Sequence, residues 1–142
     1  MDGYQITELG DLDRWREHFG GFTPEKSRDG RRVVDHEIPM QFIGVTANSL
    51  VPGEEAGYWH THSVLEELYL FLAGEGEMGL DDDVVPVRAG TAVRVAQGVM
   101  RTWRCTPGSS GNLTWLCIRG GGQELDRIPT DSRRDTERPM PW

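Results

Sequence analysis

The sequence predicts an all-β fold, a small barrel of short strands with one short N-terminal helix. The chain has 142 residues, which suits one domain with a core of its own. Its apolar runs are short, and 18 glycines and 8 prolines separate them, as is typical of strands joined by tight turns. One run, residues 68–72, is continuously apolar and ends near Gly74 and Gly76, which favours a buried strand.

The helix is predicted over residues 11–19. Asp11 is a candidate N-cap, and Leu12, Trp15 and Phe19 recur at helical spacing before two glycines end the pattern. We expect residues 1–30 to form a helix-and-loop extension, residues 31–122 the barrel, and residues 123–142 a loosely packed polar tail, all within one domain. Strands are expected at residues 32–38, 41–50, 58–62, 68–72, 84–88, 92–95, 100–106 and 113–119.

The apolar run 68–72 also bears on assembly. If Glu67, Tyr69 and Phe71 face the barrel interior, the leucines between them face outward. Such leucines need a cover, either from the N-terminal segment or from a second subunit, and we expect a homodimer. The outward set is Leu68, Leu70 and Leu72.

Charge and composition exclude several classes of partner. The formal net charge is -8, which argues against binding to nucleic acid, because a phosphate backbone requires a basic face. We expect no membrane partner, since no apolar stretch is long enough to span a bilayer. The first residues lack the features of a signal peptide, so we expect a cytoplasmic protein, with Cys105 and Cys117 as buried reduced thiols.

Two histidines and a carboxylate are the candidate metal ligands. His60 and His62 stand one residue apart and point to the same side of a strand, and a return strand can bring Glu67 beside them. Two imidazoles and one carboxylate on one face form a facial triad for a divalent metal. Glu66 competes with Glu67 for this role, but it points the opposite way on a regular strand.

These residues resemble the first motif of the cupin family. His60, His62, Glu67 and Gly74 match H-x-H-x(3–4)-E-x(6)-G, and Gly53 stands close to the position of the glycine that opens that motif. The resemblance implies a jelly-roll β-barrel that is usually dimeric. Cupins include dioxygenases, isomerases, epimerases, decarboxylases, storage proteins and ligand-binding domains, so the resemblance implies the fold more closely than the reaction.

The second cupin motif, G-x(5)-P-x-G-x(2)-H-x(3)-N, is degraded. It aligns on Gly90, Ala96, Gly98, Arg101 and Cys105, so both glycines are kept while proline, histidine and asparagine are replaced. In metal-binding cupins the position of Arg101 carries the third histidine ligand. Arginine is a permanent cation and does not ligate metals.

Two interpretations of Arg101 follow, and the sequence leaves both open. In one, His60, His62 and Glu67 hold a divalent metal (Fe, Mn, Zn or Ni) and Arg101 clamps an anionic substrate, as in a metal-dependent enzyme of the dioxygenase or isomerase type. In the other, the metal is lost, Arg101 pairs with Glu67, and the barrel binds a small polar or anionic ligand. The predicted ligand-binding side chains are Arg101, Trp103 and Tyr69.

Overall fold

Two five-stranded antiparallel sheets share one core in the computed structural model, which describes residues 3–142. The first sheet has the strand order β12-β5-β10-β7-β8, the second has the order β3-β4-β11-β6-β9, and β1 pairs with β2. The strands are β1 (Phe19–Gly20), β2 (Arg28–Asp29), β3 (Arg31–Val33), β4 (Ile43–Leu50), β5 (Trp59–His62), β6 (Glu66–Ala73), β7 (Glu75–Leu80), β8 (Asp83–Arg88), β9 (Ala92–Val95), β10 (Arg101–Cys105), β11 (Leu113–Gly120) and β12 (Ser132–Asp135). The predicted all-β fold is confirmed.

The barrel core lies between the two sheets. Phe71 and Trp115 come from the second sheet, and Met78 and Trp103 come from the first; all four are at most 4% exposed. Along β6, Glu67, Tyr69 and Phe71 are buried and the residues between them are more exposed, as strand alternation predicts. Cys105 and Cys117 are buried free thiols.

The N-terminal segment departs from the predicted helix. It forms a 3₁₀ helix at Leu12–Glu17, and Asp11 stands at the N-cap position without a side-chain capping hydrogen bond. The helix ends before Phe19 because β1 pairs there with β2 and the His18 carbonyl accepts a hydrogen bond from the Gly30 amide. Two further 3₁₀ helices follow, at Pro24–Lys26 and Val34–His36. The strand predicted over residues 32–38 therefore ends at Val33, where the second of these helices begins.

This N-terminal segment covers part of the outer face of the second sheet. Trp15, Val34 and Ala47 form a second buried cluster, against which Leu72 packs. Leu68, farther along the same strand, remains 37% exposed. The expected cover for the outward leucines is therefore partly provided within the chain.

The C-terminal residues also differ from the expected loose tail. Residues 132–135 form β12, which pairs with β5 in register Arg134↔His60. Farther on, the Pro139 carbonyl accepts a hydrogen bond of 3.0 Å from Trp59 Nε1, and the Arg138 guanidinium lies 3.9 Å from the centre of the Trp59 ring. The tail therefore becomes the edge of the sheet that carries the two histidines. No helix in the described range 3–142 is long and apolar enough to cross a membrane.

Candidate metal centre and ligand pocket

The three predicted metal ligands converge inside the barrel. His60 Nε2 lies 3.6 Å from Glu67 Oε1, and His62 Nε2 lies 3.6 Å from Glu67 Oε2. One ligand atom from each of the three residues lies within 4.8 Å of the others, and all three side chains are buried. Glu66 points outward instead and pairs with Arg94 at 3.0 Å, so the structure selects Glu67 over Glu66.

His62 is held in this orientation by Asp131. Asp131 Oδ1 lies 2.9 Å from His62 Nδ1, while its Oδ2 accepts hydrogen bonds from the amides of Val64 and Leu65 at 2.8 and 2.9 Å. The pKa of Asp131 is lowered from its usual value. Burial alone would raise this pKa, but the hydrogen bonds from Leu65, His62 and Val64 outweigh that effect. A carboxylate on the far nitrogen of a metal-ligating histidine is a common orienting partner. Asp131 was not predicted, because it stands in a polar stretch without a motif.

The Glu67 carboxylate is surrounded by donors. The Tyr69 hydroxyl donates to Oε1 at 2.8 Å, and the Cys117 thiol donates to Oε2 at 3.3 Å. Burial, followed by the charge of Glu67, raises the pKa values of both Tyr69 and Cys117, which keeps these two groups protonated as donors. Cys117 enters the site from β11 and was also not predicted as a site residue.

The protonation states of the cluster suit metal ligation. Burial would raise the pKa of Glu67, but His60, His62 and Arg101 outweigh it and hold that pKa well below its usual range. Burial lowers the pKa of His60, although Glu67 opposes that shift. An ionised carboxylate and a neutral imidazole are the forms in which these side chains bind metals.

Arg101 contacts the Glu67 carboxylate from within the protein and does not line the pocket. Its side chain is fully buried, Nη1 is 3.4 Å from Glu67 Oε1, and Nη2 donates to the Ala96 carbonyl at 3.2 Å. The expected proximity to Glu67 is therefore present. Arg101 is not among the residues that line the pocket, and its contact with a ligand stays a prediction.

A pocket opens from the cluster to the surface. Trp103 and Tyr69, which are predicted to bind the ligand, line this pocket, and the Trp103 ring meets the His60 ring edge to face at 5.4 Å between centroids. The pocket wall also carries four cationic side chains that sequence analysis did not predict. These are Lys26, Arg31, Arg119 and Arg134.

Residues 49–119, half of the chain, match the profile of the cupin domain, and the protein therefore belongs to the cupin family. None of the curated proteins matches the sequence. The match spans β5, β6, β10 and β11, which supply the histidines, Glu67, Arg101 and Cys117.

Solved structures with low sequence identity share this fold. A cupin protein from Bacteroides fragilis is 22% identical with a TM-score of 0.69, covering 89% of this chain and 91% of its own. A putative sugar phosphate isomerase from Acidithiobacillus ferrooxidans is 24% identical with a TM-score of 0.56, covering 72% and 63%. Pac13, a nucleoside dehydratase of Streptomyces, is 14% identical with a TM-score of 0.53, covering 66% and 68%.

Proposed function

We propose that this cupin binds a small polar or anionic molecule in its barrel, above a divalent metal ion held by His60, His62 and Glu67. The observation that carries the proposal is the convergence of these three buried side chains at the inner end of the pocket. The solved structures of similar fold differ in the activities that their names give, so the proposal depends on the site and not on them.

The donor set fits a divalent metal in number, chemistry and position. Two imidazole nitrogens and one carboxylate suit Fe, Mn, Zn or Ni, and Asp131 fixes His62 with Nε2 toward Glu67. Arg101 neutralises part of the charge of Glu67, which weakens the attraction for a cation. A metal ion beside Arg101 would leave the site with excess positive charge, and this excess favours an anionic ligand.

A second candidate function is a metal-dependent enzyme of the dioxygenase or isomerase type. Three protein ligands leave coordination positions open, and the pocket gives a small molecule access to them. In that role the metal would supply Lewis acidity toward a substrate oxygen. Trp103 and Tyr69 would form the apolar wall that orients the substrate.

The test is metal analysis of protein purified without chelator, followed by calorimetric titration of chelator-treated protein with Mn²⁺, Fe²⁺, Zn²⁺ and Ni²⁺. We expect one metal ion per chain, lost in His62→Ala and retained in His36→Ala. His36 is a suitable control because it bonds the Arg127 carbonyl and does not line the pocket.

Arg101→His separates the two interpretations of the site. This change removes the buried cation and restores the usual third ligand of metal-binding cupins. Wild-type protein that binds metal as well as Arg101→His supports the proposal. If metal binds only to Arg101→His, the wild-type metal centre is refuted and the metal-free binding protein remains.

A further inference from the structure

One wall of the pocket concentrates cationic side chains in a protein of formal net charge -8. Lys26 comes from the 3₁₀ helix Pro24–Lys26, Arg31 from β3 and Arg134 from β12. Arg28 lies beside Arg31, behind the pocket surface, and adds a fourth charge. These four side chains are called the basic wall below.

Arg28 and Arg31 share a neutral acceptor, the side-chain oxygen of Asn48. Arg31 pairs with Asn48 across β3 and β4, and the Asn48 Oδ1 atom lies 3.5 Å from Arg31 Nε and 3.4 Å from Arg28 Nη2. The Asn48 amide nitrogen donates to Thr46, at 3.3 Å to its carbonyl and 3.1 Å to its hydroxyl, which turns Oδ1 toward the arginines. Two guanidinium groups therefore lie side by side on one neutral oxygen.

The nearby carboxylates are paired with other cations. Glu54 pairs with Arg16, Asp35 with Arg119, and Glu67 with Arg101. Within residues 3–142, no carboxylate oxygen lies within 4.0 Å of Arg28, Arg31 or Arg134.

Burial makes this arrangement costly. Arg31 is only 8% exposed, and Arg28 Nε is buried without a hydrogen-bond partner. Burial, followed by the charge of Arg31, lowers the pKa of Arg28 to about 10. Adjacent buried guanidinium groups without a counter-charge destabilise a fold, whereas a bound oxyanion satisfies them.

Arg134 is placed to complete such a site. Its guanidinium lies 4.0 Å from the centre of the Tyr58 ring, and this stacking holds the charge at the pocket wall. The Tyr58 ring is in turn 6.0 Å from the His60 ring. Lys26, Arg31 and Arg134 therefore line the same pocket as His60, His62 and Glu67.

We propose that Arg31, Arg134 and Lys26, supported by Arg28 and Asn48, bind an oxyanion group of the ligand, phosphate or carboxylate, while the rest of the ligand extends toward His60, His62 and Glu67. Planar guanidinium groups bind both kinds of oxyanion through paired hydrogen bonds. The inference rests on the proposed function, because it assigns the charged part of the molecule that occupies the pocket.

The test is calorimetric titration of the full chain, freed of metal with a chelator, with inorganic phosphate and separately with malonate. We expect at least one anion to bind, with affinity at least about tenfold weaker in Arg31→Gln and in Arg134→Gln, as expected for loss of a charged hydrogen bond. The matched control is Arg133→Gln. Arg133 precedes Arg134 on β12 and does not line the pocket, so this variant should bind like the wild type. The tighter-binding anion distinguishes a phosphorylated ligand from a carboxylate ligand.

The inference would be overturned if neither anion binds, if the affinity is unchanged in both Arg31→Gln and Arg134→Gln, or if Arg133→Gln weakens binding as much as Arg134→Gln. Anion binding that requires added metal would also overturn it, because the anion would then occupy the metal centre, and the proposed function would stand. Conversely, arginine-dependent binding in a protein that never takes up metal would refute only the metal centre. If Arg31→Gln does not fold, the exposed position of Arg134 preserves the test.

Discussion

At the scale of the residue, the site depends on the charge of Glu67. This one carboxylate faces both histidines, accepts a hydrogen bond from Tyr69, and is the partner of Arg101. Arg101 has no exposed surface and no other carboxylate partner within residues 3–142, so its charge is balanced inside the protein only by Glu67. Removing either charge alone leaves the other buried and uncompensated.

We predict that Glu67→Gln lowers the free energy of unfolding by about 3 kcal/mol, the usual cost of breaking a buried ion pair from one side. Adding Arg101→Met should restore most of this loss, because the double variant buries neither charge. Urea denaturation of chelator-treated protein measures both effects. Glu66→Gln is the control, since Glu66 and its partner Arg94 are exposed and should change stability little.

The same pair gives the sign of a pH dependence. The pKa of Glu67 is lowered by folding, so its contribution to stability is present above the usual pKa of 4.5 and is lost as the pH falls below it. The stability difference between wild type and Glu67→Gln should therefore shrink on acidification below about pH 4.5. A difference that stays constant down to acid unfolding would contradict the assigned ion pair.

At the scale of the element, strand alternation predicted the positions of His60, His62 and Glu67, because residues two apart on a strand share a face. The strand β12 was not predictable in the same way. Its sequence, Ser-Arg-Arg-Asp, shows no apolar alternation, and it is held by backbone pairing to β5. Such pairing depends on a free sheet edge nearby, which local sequence does not encode.

The pairing of β12 with β5 has a consequence for the proposed metal centre, since it brings Asp131 to His62. We predict that Asp131→Asn weakens metal binding by about 10- to 100-fold. Asn has no charge and only one accepting oxygen, so it cannot accept both from His62 and from the Val64 and Leu65 amides, as the two oxygens of Asp131 do. Calorimetric titration with Zn²⁺ and Mn²⁺ measures the change. Asp126→Asn is the control, because the Asp126 carboxylate accepts a hydrogen bond from Thr130, whereas His62 bonds Asp131. Equal affinities for wild type and Asp131→Asn would show that Asp131 has no orienting role.

At the scale of the whole molecule, composition predicted which partners to exclude but not the nature of the pocket. The net charge of -8 describes the surface as a whole, whereas the basic wall brings Arg134 together with Lys26, Arg28 and Arg31 from a much earlier part of the chain. Only the folding of both terminal segments onto the barrel brings these residues together. The two cupin motifs lie between these segments, so the motifs predicted the cluster of His60, His62 and Glu67 and not the basic wall.

The outer face of the second sheet is only partly covered, which matters for whether the chain associates with a second copy of itself. The N-terminal segment covers Leu72, but Leu68 and Ile43 remain 37% and 48% exposed on that sheet. Ile118 on β11 pairs with Leu68 on β6 and lies beside it on the same sheet. This exposed part is a candidate contact between two copies of the chain. It is the outer face of that sheet, whereas Glu67 on the same strand and both histidines on β5 are buried inside the barrel, so dimer formation through this face would leave the three candidate ligands in place.

We predict that the protein is a homodimer through this face. Sedimentation equilibrium should give twice the chain mass of 16.0 kDa for the wild type and 16.0 kDa for Leu68→Asp, because a buried carboxylate without a partner opposes association. Val84→Asp is the matched control: Val84 is 40% exposed, similar to Leu68, but it lies on β8 of the other sheet and should leave the dimer intact. Metal titration should be the same for all three proteins, since the side chains of Leu68 and Val84 are exposed outside the barrel and the cluster is buried inside it. A wild type that sediments as a monomer at every concentration would contradict the prediction, and the N-terminal segment would then be the only cover of the outward leucines.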